Sequence, residues 1–162
     1  MSNEFDEVFQ LQGINWMVRK ALKAATITFT VEAYKDEKDI PHMVVQQSAG
    51  YGPSPPAEHR LLNWSEVPRQ TFIGSMTGRT RFVNGAMNAF GFCNPVLEVQ
   101  TSTGDAAKNS EALRFLRGEI AADGGQMSGF LMEGEEDKAQ FVHHMNINDN
   151  GWTGEEVCQI SL

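Results

Sequence analysis

Basic residues are scarce in this chain. Thirteen Lys and Arg stand against twenty-one Asp and Glu, a formal net charge of -8, and such a surface repels phosphate backbones and anionic lipid headgroups. Nucleic acid is therefore not an expected partner. No apolar run approaches the length that spans a bilayer, and the start of the chain lacks the basic, apolar and small-residue regions of a signal peptide. No membrane insertion is expected, and a cytoplasmic location is. Cysteine is rare too: Cys93 and Cys158 show no C-x-x-C spacing, and in a reducing compartment they read as small buried hydrophobes or free thiols. The Asn63-Trp64-Ser65 sequon is then a chance match. The four histidines include no H-x-x-x-H pair, and His143 and His144 fall on opposite faces of a strand, so no metal site is expected. Gly50-Tyr51-Gly52 lacks the third glycine of a dinucleotide loop, and no P-loop, G-x-S-x-G or H-E-x-x-H motif occurs. No cofactor is expected.

What is present is a change of period. Ile14, Met17, Val18, Ala21 and Leu22 make an amphipathic helical stripe. From Ala25 the pattern becomes strict alternation, with Ile27, Phe29, Val31 and Ala33 on one face and Thr28, Thr30, Glu32 and Tyr34 on the other. Residues 1–24 are thus expected to form a helical pair, capped by Ser2 or Asn3, broken at Gly13 and resumed from about Asn15 to Lys23. Strands follow at His42 to Ser48, Glu58 to Trp64, Thr71 to Val83, Val96 to Thr101 and Ala112 to Ile120, with bends or bulges at Gly74 and Gly78. Asp123-Gly124-Gly125, Gly134 to Asp137 and Asn150-Gly151 are turn signals that divide the tail into three hairpin-linked strands. Gly50 to Pro56 reads as a loop, and Asn84 to Phe92 as an apolar rim or gate. With no repeat or composition shift, residues 1–162 form one domain, 1–24 a lid and 25–162 the β-structure. About nine antiparallel strands close on themselves or fold into a sandwich, and a closed up-and-down barrel of that size encloses one small ligand.

The order FDE, GINWMVRKA and TITF resembles the helix-turn-helix lid and following strand of the intracellular fatty-acid-binding proteins. With Glu58 to Trp64 and the run GSMTGRTRFV from Gly74 to Val83, it also resembles small fungal lipocalin-like proteins. The resemblance implies a mainly β calycin fold: a single antiparallel barrel under a helical lid. That fatty-acid-binding family has a strand before the lid, so one strand is expected to be absent or supplied differently. Its carboxylate-anchoring Arg-x-Tyr pair is replaced here by Val157-Cys158-Gln159-Ile160-Ser161.

Alternation along Phe141, His143, Met145 and Ile147 puts one imidazole on an apolar face, so His143 is a candidate interior acid or base, or else a core histidine bonded to a neighbouring strand. Leu113, Phe115, Arg117 and Glu119 share a face in the same reading. That places Arg117 and Glu119 at a barrel mouth, as catalytic partners or as a solvated ion pair. Arg79 and Arg81 share a face, either as guanidinium donors to a ligand oxygen, with Arg81 the expected one, or simply as surface charges. Glu58, Arg60, Leu62 and Trp64 form one wall. Trp16, Phe29, Val31, Arg60, Trp64, Arg81, Phe115, Phe141 and Met145 are the expected ligand-binding residues. Two functions fit: binding of a small, largely apolar molecule in the barrel, or a cofactor-independent isomerase or cyclase, which the fungal resemblance ties to secondary metabolism. An interaction protein using its outer sheet face is a third, and a homodimer stays open.

Overall fold

The computed structural model describes residues 3–48, 54–71, 74–131 and 140–160. The expected cap at Ser2, the loop from Gly50 to Pro53 and the turn from Gly134 to Asp137 lie outside them. Two helices open the chain, α1 (Asn3–Leu11) and α2 (Trp16–Ala24). Gly13 sits between them at φ 77, a conformation that only glycine adopts without strain. The Asn15 side chain caps α2 by accepting from the Val18 amide at 3.0 Å. Arg19 holds the pair together through Asp6 and the Ile14 carbonyl, each at 3.0 Å. The apolar stripe of α2 remains uncovered, and no residue of that helix is buried.

The rest is mainly β and antiparallel. Strands β1 (Thr28–Lys35), β2 (Pro41–Ser48) and β3 (Glu58–Leu61) make a three-stranded sheet in that order. A five-stranded sheet follows the order β4 (Val67–Thr71), β5 (Gly74–Met87), β7 (Gln140–Asn148) and β8 (Thr153–Ile160), with the short β6 (Cys93–Pro95) paired to β5. Pro68 is tolerated in β4 because, among the described residues, that strand pairs on one side only, with β5. Among the described residues the ladder does not close into a tube, since β1 pairs only with β2 and β8 only with β7.

One expected strand is a helix. Residues Ala106–Leu116 form α3, whose N-cap Asp105 accepts from the Ala107 and Lys108 amides at 2.9 and 3.3 Å. The helical period explains the burial that alternation does not: Leu116 is buried and Leu113 packs on the same core, while Phe115 faces solvent. The segment from Val96 to Thr101 is irregular instead of a strand. Between the Asp123 turn and residue 131 the chain makes only isolated bridges, Ile120 to Gln126 and Cys93 to Phe130. The expected strand from Thr71 to Val83 is two elements, and β5 runs on to Met87 through part of the expected rim loop.

The five-stranded sheet is covered on both faces. On one side Val83, Phe141 and Val157 pack with Cys93, Leu97, Phe130 and Leu116 of the following segment and α3. On the other, Phe82, Val142 and Ile160 pack with Met43 and Val45 of the three-stranded sheet and with Leu62, just after β3. The result is three layers, with β7 in the middle one. Every residue from Phe141 to Met145 is buried, because both faces of β7 are covered.

Candidate functional site

Because β7 is central, its two adjacent histidines enter different layers. His144 shares a face with its register partners Thr80 and Glu156, and this face looks toward the three-stranded sheet. There Glu58 and Arg60 lie opposite Val45 and Met43. The space between the sheets is therefore amphipathic, apolar around Met43, Val45, Leu62 and Val142 and polar around Glu58, Arg60, Arg69 and His144.

The polar end is closely bonded. Glu58 Oε1 accepts from Arg60 Nε at 2.6 Å and also pairs with Arg69, and Arg60 Nη1 reaches Glu156 at 2.6 Å. Arg69 Nη2 donates to Asn146 Oδ1 at 2.5 Å. His144 stands among them with Nδ1 2.7 Å from Thr80 Oγ1 and Nε2 2.8 Å from Asn146 Oδ1. Since Oδ1 can only accept, Nε2 carries the proton and the Thr80 hydroxyl donates to Nδ1. Burial pulls the His144 pKa down to about 4, helped by the Arg60 and Arg69 guanidiniums and opposed by Glu156 and the Asn146 bond. The imidazole is neutral at neutral pH. Burial also lowers the Arg69 pKa, with Glu156 opposing, and Arg69 Nε has no hydrogen-bond partner among the described residues.

Gly78 completes the site. A Cβ there would stand 3.0 Å from His144 Cε1, so glycine lets the strand pass beneath the imidazole where an alanine would press the ring aside by a few tenths of an ångström. The pairing of β5 with β7 runs through it without interruption, so Gly78 provides clearance where a bend or bulge was expected. The cleft lined by Glu58, Arg60, Arg69, Thr80 and His144 has a volume of about 10 Å³, on the order of one water molecule. Two guanidiniums make it a poor host for a cation; what it offers is donors to an oxygen, next to a neutral base.

His143 faces the opposite layer. It is fully buried, with Nε2 2.7 Å from Glu155 Oε2 on β8. Glu155 Oε1 accepts from the Gln100 and Thr101 amides at 2.8 and 2.5 Å. Burial raises the Glu155 pKa, but the bonds from His143, Thr101 and Gln100 together outweigh it and the net shift is downward. The Trp64 ring lies 5.1 Å from His143 and 4.4 Å from the Arg81 guanidinium, and Arg81 Nη2 is 3.5 Å from His143 Nδ1. This is the histidine bonded to a neighbouring strand, and the carboxylate it holds ties down the segment at residues 100 and 101.

The expected site residues are therefore divided. Glu119 pairs with Arg114 at 3.8 Å and Arg117 at 4.0 Å, beyond the end of α3 and half-exposed, while His143 pairs with Glu155. The face expected to unite Arg117 and Glu119 with Leu113 and Phe115 does not exist, because α3 occupies that stretch. Arg60 is in the inter-sheet cluster. Phe141 and Met145 are buried on the His143 face, and Phe115 is exposed on α3. Trp16, Phe29 and Val31 are exposed, with the Lys20 ammonium 5.0 Å from the Trp16 ring. Glu58, Arg60 and Leu62 do share a wall, but Trp64, at φ 65, leaves it for the far face. Arg79 and Arg81 share a face as expected, with Arg79 paired to Glu66. Cys93 and Cys158 are both free; Cys93 is buried, whereas Cys158 is exposed.

Sequence reasoning passed over Arg69, Thr80, His144 and Asn146. The signal for Arg69 was the alternation Val67, Arg69, Thr71, masked by Pro68. For His144 it was the burial of β7 on both faces, which one-sided alternation hides. No described helix is long and apolar enough to cross a membrane. No family model, curated protein or solved structure matches this chain.

Proposed function

We propose that the chain binds a small, largely apolar molecule between its two sheets, its apolar body against Met43, Val45, Leu62 and Val142 and an oxygen toward Arg60, Arg69 and His144. In this reading the sheets are the walls of one incompletely closed, calycin-like barrel and α1 and α2 are its lid. The isolated bridge from Asn63 to Arg81 and the Arg60 to Glu156 ion pair, which run from the β3 segment to the larger sheet, support a common wall. The observation that carries the proposal is the juxtaposition of an apolar cluster with Arg69, whose buried Nε has no hydrogen-bond partner among the described residues. Room for one water is too little for such a guest, so the β1–β2 hairpin, whose outer strand is exposed throughout, lifts to admit it. Thermal unfolding against 1-naphthol, decanol and decanoic acid tests this: at about a hundredfold excess over Kd the midpoint rises by about 5 °C or more. An unmoved midpoint with every probe contradicts it.

A second reading, a cofactor-independent isomerase or cyclase, rests on the neutral His144 beside two guanidiniums. Once the Thr80 hydroxyl turns its proton elsewhere, Nδ1 of the neutral imidazole accepts a proton from a carbon acid while a guanidinium stabilises the enolate oxygen. Deuterium exchange into a cyclic β-diketone in heavy water distinguishes the readings. Acceleration by the native chain that is lost in His144→Gln supports catalysis, and exchange no faster than in buffer leaves binding alone.

A further inference from the structure

All eight residues of β1 are exposed, and among the described residues this strand pairs only with β2. Its alternate backbone donors and acceptors on the other side point away from the sheet. Register fixes its faces. Val31 lies opposite Val45 and Ala33 opposite Met43, so the apolar layer buried on β2 continues onto β1 and ends in solvent, with Phe29 57% and Val31 51% exposed. Of the usual protections of a free edge the strand has only two charges, Glu32 and Lys35. No proline interrupts the strand, its pairing to β2 is continuous over residues 28–35, and the one lysine, Lys35, is tied to Asp39 at 2.9 Å.

We infer that this edge is an interface with a second copy of the chain, in which β1 pairs antiparallel with its own image about a two-fold axis at Val31. An axis perpendicular to the sheet keeps Phe29, Val31 and Ala33 of both copies on one face only when odd-numbered residues pair with odd. Centring at Val31 aligns residues 28–34 of each strand, sets Val31 against Val31 and Phe29 against Ala33, and places Glu32 opposite Thr30. Centring one residue later sets Glu32 against Glu32, a like-charge pair that costs stability. Centring one residue earlier leaves only residues 28–32 aligned. The strand's composition thus selects one register, and its neutral, apolar character suits a copy of itself better than a charged partner. The three-stranded sheets of two copies then join into one six-stranded sheet. This interface stands whether or not the interior takes a guest.

Sedimentation velocity over a concentration series tests it. The native chain should approach twice the 18.0 kDa mass of one copy, and more readily in high salt, because each copy carries a formal charge of -8. Val31→Lys and Val31→Glu should each raise the dimer Kd about tenfold or more, while an equimolar mixture of the two should dimerise again. Val31 is half-exposed in the single chain, so circular dichroism and thermal midpoints of both variants should match the native chain. A native chain that sediments as a monomer throughout, or a dimer indifferent to Val31→Lys, would overturn the inference. A mixture that stays monomeric would overturn the register at Val31.

Discussion

Acidification should unfold this protein through one imidazole. His144 keeps a pKa of about 4 in the fold against its ordinary 6.5. Above pH ~6.5 the histidine is neutral in the folded and unfolded chains alike, and its contribution is fully present. As the pH falls below that value the unfolded chain takes up a proton that the folded chain refuses, so stability drops until the folded-state pKa is reached. At ~1.4 kcal/mol per pKa unit the loss across that window is about 3 kcal/mol. The assay is urea unfolding at a series of pH values, comparing the native chain with His144→Gln, whose amide can still meet Thr80 and Asn146. The native chain should lose about 3 kcal/mol more than the variant between pH ~6.5 and about 4. Glu155 titrates lower in both proteins and cancels. Parallel curves would mean instead that His144 is protonated in the fold without penalty.

Three further outcomes follow from the packing. Gly78→Ala should cost about 1–3 kcal/mol and shift the His144 ring resonances, since the new methyl meets Cε1; unchanged resonances would remove the clearance argument. Asp105→Ala should cost about 1 kcal/mol in urea unfolding through loss of the α3 cap, and Asp105→Asn much less. Glu155→Ala should cost about 1–3 kcal/mol at neutral pH, because it leaves the buried His143 Nε2 without its partner, and should speed amide exchange at Gln100 and Thr101. The folded-state pKa of Glu155 is depressed, so its contribution is present above the usual 4.5 and fades as the pH falls through the folded value. A cost that persists in acid would show that packing, not charge, is what Glu155 supplies.

The helical pair, β1, β2 and the β7–β8 hairpin could be read from the sequence because each is local. A period of 3.6 or 2 appears within a few residues, and Asn15, Gly13 and Asn150-Gly151 mark their ends. The stretch that failed, Ala106–Leu116, contains both patterns. Leu113, Phe115 and Arg117 satisfy alternation, but Asp105 as a cap and the run Ala-Ala-Lys-Asn-Ser-Glu-Ala-Leu favour a helix, and tertiary burial of Leu116 settles it. The site was harder to see. His144 and Arg69 lie far apart in sequence and meet only because β5 lies between β4 and β7, a topology no single window contains. Trp64 left its expected wall through one left-handed residue, which alternation does not reveal.

Whether the space between the sheets receives the guest is read by a methyl and imidazole NMR titration with 1-naphthol. Shift changes should concentrate on Met43, Val45, Leu62, Val142 and the His144 ring. Changes confined to Trp16, Met17, Phe29 and Val31, with the inter-sheet methyls unmoved, would contradict it.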